Sequence, residues 1–434
     1  MDHDLLRLAT AGSVDDGKST LVGRLLHDTK SVLADQLAAV ERASRDRGLD
    51  SADLALLTDG LRAEREQGIT IDVAYRYFST TRRSFVLADT PGHVEYTRNM
   101  VTGASTADLA LILVDARHGI VEQTRRHLAV TGLLGVRHVA LAVNKMDLVG
   151  WDELTFAGIR DEFQRLATGF GVQEVTAIPL SALTGDNVVD RSAHTPWYAG
   201  PTLLEHLETV PVGTDVTTEP VRLPVQVVIR PRTATHPDYR GYAGRLASGV
   251  LRVGDPVVVL PSGHRTFVVG IEVPVPGGLP ADVEAAFAPQ SVTVRLADDL
   301  DIARGDLIAG ASRLPHVRTD LEATVAVLSP EPLRSGQRVV VRVGTAAVRG
   351  VVTDIVDELD LAGLEHRPAG TTLPLNAIGR IRVRLAASVP VDDYRAARHT
   401  GGFLLIDEAD GATLAAGMVS LDSTTEGDSG WLAS

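Results

Sequence analysis

The 434-residue sequence contains no cysteine. This absence excludes disulfide bonds, thiolate metal sites, iron–sulfur clusters and thiol chemistry. A chain without cysteine is consistent with the reducing cytoplasm, where disulfide bonds are rare. Lysine is also scarce, because only Lys18, Lys30 and Lys145 occur and arginine supplies nearly all of the positive charge.

Long apolar runs and an excess of positive charge are missing as well. The best apolar run, residues 109–114, is far shorter than the about 20 residues that cross a bilayer. The first four residues lack the basic segment of a signal peptide. The chain has 42 Lys and Arg residues and 56 Asp and Glu residues, a net charge of −14. This negative charge argues against a protein whose main function is to bind nucleic-acid phosphates or an anionic membrane. We therefore expect a cytoplasmic protein with no membrane and no nucleic-acid partner.

What is present is typical of a globular chain. Hydrophobic residues make up 44% and charged residues 23% of it. The first half alternates apolar runs with segments of helical spacing, which predicts a doubly wound α/β domain with a mostly parallel sheet over residues 1–213. The predicted strands are 5–11, 71–78, 85–88, 109–114, 139–143 and 175–180, and the predicted helices are 18–27, 93–105, 121–133, 151–168 and 201–208.

The second half has a different pattern. Short β-branched runs separated by turns replace the helical spacing. A break near 311–319 divides this half into residues 219–311 and 318–421, which we predict to be two small antiparallel barrels or sandwiches. Residues 380–385 alternate strictly between arginine and apolar side chains, so the apolar ones are expected to face a core. The polar tail 422–434 is expected to be disordered.

The segment after the first predicted strand fits the phosphate-binding pattern G-x-x-x-x-G-K-[ST]. It consists of Gly12, Ser13, Val14, Asp15, Asp16, Gly17, Lys18 and Ser19, with Thr20 following. Glycines let backbone N–H groups turn inward around phosphate oxygens, and the helix N-terminus adds its positive end. Lys18 is expected to neutralise the β- and γ-phosphates, and the Ser19 hydroxyl to ligate Mg²⁺. On this pattern alone, a glycine-rich turn is the alternative.

A second motif, Asp89-Thr90-Pro91-Gly92, closes another predicted strand. The Asp89 carboxylate is placed to hold Mg²⁺ through water, and the Gly92 N–H to reach the γ-phosphate. An isolated match of this kind is more often a plain turn.

Two further motifs suit a guanine base. Asn144, Lys145 and Asp147 follow the predicted strand 139–143, and the Asp147 carboxylate can accept hydrogen bonds from guanine N1–H and N2–H, which adenine lacks. A tripeptide of Ser181, Ala182 and Leu183 follows strand 175–180, where its backbone N–H groups are expected to meet guanine O6. By itself this tripeptide means almost nothing.

The order of the four motifs makes them specific. Each lies at the carboxyl end of a predicted strand, where α/β sheets bind ligands. Two of the three lysines, Lys18 and Lys145, fall inside the motifs. The sequence therefore predicts a GTP-hydrolysing enzyme that uses Mg²⁺.

Thr70 and His93 complete the predicted site. Thr70 lies between the phosphate loop and Asp89, where a threonine can ligate Mg²⁺ only when the γ-phosphate is present, so its segment would act as a switch. His93 follows Gly92 directly and is placed to orient the attacking water. Without the surrounding motifs, Thr70 would be read as a capping residue and His93 as a surface histidine. With them, we expect Lys18, Thr70 and His93 to be catalytic, and we expect His118 and His127 to be structural or solvated.

These stretches resemble the translation-factor class of GTPases, in which an α/β domain precedes two β-barrels. Within that class they are most similar to the large GTPase subunit of bacterial sulfate adenylyltransferase. The likeness is carried by residues 12–20, 64–78, 96–100, 239–244, 302–306 and 373–376. Elongation factors usually have histidine where this chain has Asp16, which separates it from them.

The resemblance implies an energy-coupling GTPase. In that family a smaller catalytic subunit forms adenosine 5′-phosphosulfate and pyrophosphate from ATP and sulfate, and GTP hydrolysis drives the reaction forward. It implies a heterodimer, or an assembly of heterodimers, with that small subunit. The chain itself lacks the adenylylation signatures H-x-G-H and S-G-G-x-D-S. Two alternatives stay open: an elongation-factor-like carrier of aminoacyl-tRNA, and a relative that binds nucleotide as a scaffold without sulfate chemistry.

Overall fold

The computed structural model describes most of the chain, in two compact units. The described residues are 4–32, 34–46, 53–57, 73–90, 97–172, 174–212, 216–231, 239–275, 277–361, 363 and 365–421. The first unit is built mainly from Met1–Val212, and the second from Gly213–Leu359 and His366–Glu426. Among the described helices, none combines the length and the apolar content that a bilayer crossing requires.

Strands and helices alternate through the described part of the first unit. The strands are β1 (Leu5–Ala11), β2 (Ala74–Ser79), β3 (Ser84–Asp89), β4 (Leu109–Asp115), β5 (His138–Asn144) and β6 (Glu174–Pro179). The helices are α1 (Lys18–Asp28), α2 (Ala34–Asp46), α3 (Thr97–Ala104), α4 (Glu122–Leu133), α5 (Glu153–Gly169) and α6 (Leu203–Thr209). Short 3₁₀ helices cover Leu54–Leu57 and Met146–Val149.

One sheet organises this unit. Its strand order is β2-β3-β1-β4-β5-β6, and every pairing is parallel except that of β2 with β3. All residues of β4 are buried, as expected for a central strand whose two faces are both covered. Because the parallel strands point the same way, the segments that follow β1, β3, β4, β5 and β6 lie at one edge of the sheet.

The predicted α/β elements are confirmed within the described residues. The boundaries of β1 are those predicted, β4 ends one residue later than predicted, and β3, β5 and β6 differ from prediction by one residue at each end. The strand predicted over 71–78 is seen over 74–79, with residues 71 and 72 outside the described part. The helix predicted over 93–105 is seen over 97–104, and residues 93–96 likewise lie outside it.

The second unit is almost entirely strand, with one short helix, α7 (Arg398–Gly401), among its described residues. The strands in chain order are β7 (Arg222–Pro224), β8 (Val227–Ile229), β9 (Gly241–Arg245), β10 (Val250–Arg252), β11 (Pro256–Leu260), β12 (His264–Val273), β13 (Ala281–Val283), β14 (Ala285–Phe287), β15 (Ser291–Leu296), β16 (Leu307–Gly310), β17 (His316–Val327), β18 (Leu333–Arg334), β19 (Arg338–Val343), β20 (Ala346–Asp360), β21 (Glu365–Pro368), β22 (Thr372–Leu373), β23 (Ile378–Val391), β24 (Gly402–Asp407) and β25 (Thr413–Val419).

Two large antiparallel sheets account for most of these strands. The first has the order β7-β16-β11-β12-β15-β9-β8, with β13 added on β12. The second has the order β19-β24-β25-β17-β23-β20-β21, and an additional pairing of β19 with β20 closes six of its strands into a barrel. The predicted class, an α/β domain followed by antiparallel β structure, is therefore confirmed. The expected tail 422–434 lies outside the described residues.

The alternation predicted for residues 380–385 is present in β23. Ile381, Val383 and Leu385 are buried in the barrel core, while the arginines between them face outward. Each arginine reaches a carboxylate on a neighbouring strand; the pairs are Arg380–Asp357, Arg382–Glu322 and Arg384–Asp320. The period-2 pattern thus identified both faces of the strand.

An ion pair between a buried arginine and a half-buried aspartate joins the two sheets of the second unit. Arg222 on β7 makes a bidentate contact with Asp392, at 2.9 Å from Nε to Oδ2 and 3.0 Å from Nη2 to Oδ1. Thr400 Oγ1 donates to the same carboxylate at 2.6 Å. The Arg222 side chain is only 3% exposed, so the pair depends on these mutual contacts rather than on water.

Candidate functional site

The loop between β1 and α1 has a backbone that suits a phosphate cradle. Gly12, Asp15 and Gly17 have φ of 156°, 70° and 92°, a region that favours glycine. A Cβ atom at Gly17 would lie 2.4 Å from Asn144 Nδ2, so this position has room only for hydrogen. The loop opens directly onto Lys18, the first residue of α1, so its N–H groups adjoin a helix N-terminus.

Lys18 is held inside this loop. Its Nζ donates to the backbone oxygens of Gly12 at 2.8 Å and Ser13 at 2.7 Å. The residue is buried, and burial lowers the pKa of its ammonium group despite the nearby carboxylates of Asp16 and Asp89. A buried cation next to a nest of N–H groups fits an anionic ligand.

Asp16 braces the same loop from within. Its carboxylate accepts a hydrogen bond from the Ser13 N–H at 2.5 Å, and the residue is 6% exposed. Burial raises the pKa of this carboxyl, although the Ser13 hydrogen bond and the Lys18 charge oppose the rise. Ser19 and Thr20 follow Lys18 in the first turn of α1 and are half-buried, while Val14 is 41% exposed.

Asn144 ties the phosphate loop to the loop after β6. Its Nδ2 donates to the Asp16 backbone oxygen at 2.7 Å, and its Oδ1 accepts from the Ala182 N–H at 2.9 Å. The asparagine is the last residue of β5 and is 2% exposed. Two motifs separated by more than 160 residues in sequence are therefore joined through one side chain.

Lys145 makes a second connection to the phosphate loop. Its Nζ donates to the Asp15 backbone oxygen at 2.5 Å and lies 3.0 Å from the Asp115 carboxylate. The backbone of Lys145 is left-handed, with φ of 62°, at the turn where β5 gives way to a 3₁₀ helix. The side chain is thereby stretched between the loop and the end of β4.

Asp115 is the charged group that fixes this arrangement. It ends β4 and pairs in register with Asn144 at the end of β5. Arg117 donates to it from the backbone at 2.9 Å and from the guanidinium at 3.0 and 2.7 Å. Burial opposes ionisation, but the hydrogen bonds from Arg117 and Lys145 outweigh it and hold the pKa of Asp115 well below its usual range.

Asp89 ends β3 on the other side of β1. It is 1% exposed, and its Oδ1 accepts from Thr10 Oγ1 at 3.0 Å. Thr10 Oγ1 also accepts from the Thr90 N–H at 3.3 Å, so the strand end is anchored to β1. The predicted carboxylate is thus placed beside the strand that leads into the phosphate loop.

The predicted base-reading residues lie at the far end of the same sheet edge. Asp147 is half-buried in the 3₁₀ helix after β5. Ser181 and Ala182 are each 1% exposed after β6, whereas Leu183 is 66% exposed. Met146 N donates to the Leu180 oxygen at 3.3 Å, which joins the two segments predicted to read the base.

Three predicted residues cannot be placed. Thr70, Gly92 and His93 lie outside the described part of the chain, and their roles stay predictions. The remaining predicted residues are brought to one edge of one sheet.

Of the two histidines expected to be structural or solvated, His127 is buried and His118 is exposed. His127 on α4 is completely buried, and its Nε2 lies 2.8 Å from Gln123 Nε2. Burial, with smaller effects from the charges of Lys18 and Arg126, lowers the pKa of His127 to about 3. The side chain of His118 is 65% exposed.

The sequence interpretation missed Asp115, Arg117 and Thr10. A signal for Asp115 existed, because it ends a buried apolar run just as Asp89 and Asn144 do. Arg117 and Thr10 gave no such signal, since a single arginine or threonine near a strand end carries no pattern.

With this geometry described, comparison with known proteins identifies the family. Residues 3–212 match the family model of the elongation factor Tu GTP binding domain, and residues 320–420 match that of the GTP-eEF1A C-terminal domain-like family. A sulfate adenylyltransferase subunit 1 from Shewanella oneidensis is 50% identical over 421 residues, covering 96% of this chain and 85% of the relative.

The chain belongs to the sulfate adenylyltransferase subunit 1 family. A second member, from Citrobacter koseri, is 48% identical over 419 residues and is covered to 86% of its length. The bifunctional enzyme CysN/CysC of Mycobacterium tuberculosis is 55% identical over 96% of this chain, and the match spans 67% of that longer protein. The predicted family and its GTPase class are confirmed, and these relatives do not favour the elongation-factor alternative.

Proposed function

We propose that this chain is the GTP-hydrolysing subunit of a sulfate adenylyltransferase and couples GTP hydrolysis to formation of adenosine 5′-phosphosulfate and pyrophosphate by a smaller partner subunit. The observation that carries the proposal is the hydrogen-bonded link from the phosphate loop through Asn144 to Ala182. This link would hold the proposed phosphate-binding and base-reading groups on one sheet edge, as a single nucleoside triphosphate requires.

The residues present fit GTP. The loop 12–17 would wrap the phosphates, and Lys18, now bonded to loop oxygens, would turn its donors to the β- and γ-phosphates. Asp147 would accept the N1–H and N2–H of guanine, and the 181–183 loop would donate to O6. Lys145, stretched between Asp15 and Asp115, would lie along the base.

Among the described residues, Ser19 as a direct ligand and Asp89 through water also fit Mg²⁺, and we propose Thr70 as a second direct ligand. The buried Asp89 carboxylate supplies the hard oxygen that this cation prefers, next to the cationic Lys18. Bound there, the metal would neutralise phosphate charge.

The chemical step we propose is attack of water on the γ-phosphorus, with the bond to the β-phosphate oxygen breaking. Lys18 stabilises the charge that develops on the phosphate oxygens, and His93 orients the water. Thr70 and Gly92 would sense the γ-phosphate, so their segments would report the nucleotide state to the partner.

Further assignments complete the proposal. We propose an α/β GTP-binding domain over 1–213 and β-barrel domains over 219–311 and 318–421. We also propose a cytoplasmic heterodimer, or an assembly of heterodimers, with the small catalytic subunit, without membrane or nucleic-acid partners.

The test is GTP turnover by this chain co-expressed with its small partner. We expect release of inorganic phosphate from GTP to rise when ATP and sulfate are added together, and adenosine phosphosulfate yield to rise with GTP. GTP turnover that ignores both substrates would contradict the coupling, and saturable GTP-dependent capture of aminoacyl-tRNA would favour an elongation-factor role instead.

A further inference from the structure

Arg24 lies on α1, six residues after Lys18, and reaches across to the loop that follows β6. Its Nε donates to the Ala182 backbone oxygen at 3.2 Å, and its Nη2 donates to the Leu183 backbone oxygen. The side chain is 20% exposed, so these contacts are partly shielded from water. The planar guanidinium fork is suited to holding two neighbouring carbonyl groups at once.

The contact has a consequence for the Leu183 amide. The Ala182 carbonyl and the Leu183 N–H belong to one planar trans peptide group, in which they point in opposite directions. Because Arg24 holds the carbonyl, the Leu183 N–H is turned away from α1. In the described part of the chain this N–H has no acceptor, whereas the preceding amide, Ala182 N–H, is occupied by Asn144.

The rest of the loop keeps this peptide group in place. Thr184 N donates to Ser181 Oγ at 3.3 Å, and Gly185 N donates to the Ser181 oxygen at 2.8 Å. Gly185 has φ of 90°, and a Cβ there would lie 3.6 Å from Arg24 Cδ, so the turn packs against the arginine stem. The loop is therefore fixed by its own turn on one side and by α1 on the other.

We infer that Arg24 is a positioning residue for base recognition: it orients the Leu183 N–H as the donor to guanine O6. This inference rests on the proposed guanine-nucleotide site and adds a residue to it. Lys18 and Arg24 both lie on α1. The helix whose first residue would contact the phosphates would therefore also hold in position the loop that would bind the base.

The experiment measures dissociation constants of the full chain for three diphosphates by calorimetry. GDP is the reference, 6-thio-GDP replaces O6 with a weak sulfur acceptor, and inosine diphosphate lacks the 2-amino group that Asp147 would read. Arg24→Ala should lower the preference for GDP over 6-thio-GDP roughly fivefold, the worth of about one hydrogen bond. Its preference for GDP over inosine diphosphate should not change.

Two further variants separate this role from a structural one. Arg24 also lies 3.7 Å from Asp28, one turn along α1, and Asp28→Ala removes that ion pair while leaving the loop contacts. It should keep the wild-type preferences, and Arg24→Lys should recover part of the lost one. The inference is overturned if Arg24→Ala keeps the wild-type ratio of GDP to 6-thio-GDP, if both ratios fall equally, or if the unmodified chain does not distinguish O6 from sulfur. Failure of the chain to bind GDP at all would instead overturn the proposed function.

Discussion

The ammonium group of Lys145 lies 3.0 Å from the Asp115 carboxylate while donating to the Asp15 backbone oxygen. One lysine side chain thus connects the end of β4 to the phosphate loop. Because Asp115 is 2% exposed, the charge pair is shielded from water and is worth more than a surface contact.

Replacing Asp115 with asparagine should therefore weaken nucleotide binding. Lys145 would lose its charged partner, and a hydrogen bond to a charged group contributes about 1.5–3 kcal/mol, or roughly ten- to a hundredfold in Kd. Calorimetry with GDP measures the change. Asp108, just before the other end of β4, supplies the matched control: Asp108→Asn should bind GDP as the unmodified chain does. Equal affinity of both variants would contradict the role given to Asp115.

Asp147→Ala should abolish the preference for guanine. We propose that this carboxylate accepts two base N–H groups, which adenine cannot supply. Competition between GTP and ATP for the chain measures the preference directly. A variant that still selects GTP would show that the base is read elsewhere.

Lys18→Ala should lower GTP turnover by about 10²–10³-fold, the usual loss when a group that stabilises transition-state charge is removed. Lys30 offers a control, because it is exposed two residues after α1 ends and lies outside all four motifs. Phosphate release should be unchanged in Lys30→Ala, and circular dichroism should show both variants folded. Normal turnover in folded Lys18→Ala would be incompatible with the assigned site.

The stability of the first unit should fall in mild acid because of His127. Its pKa is about 3 in the fold and about 6.5 in the unfolded chain. Below pH 6.5 the unfolded chain therefore binds a proton at this ring, whereas the folded protein binds none there until the pH is close to 3. Between pH 7 and pH 5 this costs about 2 kcal/mol of unfolding free energy. His127→Gln should remove that part of the pH dependence in urea titrations, and His118→Gln should not. Identical pH profiles for His127→Gln and the unmodified chain would refute the claim.

Arg222→Ala should destabilise the second unit by about 3–5 kcal/mol, since it leaves the half-buried Asp392 carboxylate without its charged partner and with only the Thr400 hydroxyl as a donor. Arg384→Ala breaks a comparable contact with Asp320 that is exposed to solvent, and should leave the stability nearly unchanged. Thermal unfolding of the two variants makes the comparison. Equal losses would mean that burial does not set the strength of these pairs.

Much of the first unit could be predicted from sequence because two signals coincide there. Buried parallel strands such as β4 appear as unbroken apolar runs, and the motifs follow those runs directly. The contact of Arg24 with the 181–183 loop could not be predicted, because it joins residues about 158 positions apart and depends on side-chain reach.

In the second unit, the sequence pattern predicted which side chains are buried but not which strands pair. The alternation at 380–385 revealed which side chains of β23 face the core, but not that β17 and β20 flank it. Alternation of apolar and polar residues shows which side chains of a strand face the core. It does not show which strands lie beside it, because antiparallel strands can pair over long distances in the sequence. The closure of the barrel through β19 and β20 had no signature in the sequence.

The most direct test of the account is a crystal structure of the chain with Mg²⁺ and a non-hydrolysable GTP analogue. We predict that the terminal phosphates lie within hydrogen-bond distance of Lys18 Nζ and that the guanine N1–H and N2–H meet the Asp147 carboxylate of the same molecule. An analogue bound with its base away from Asp147, or with its phosphates outside the loop 12–17, would contradict the account.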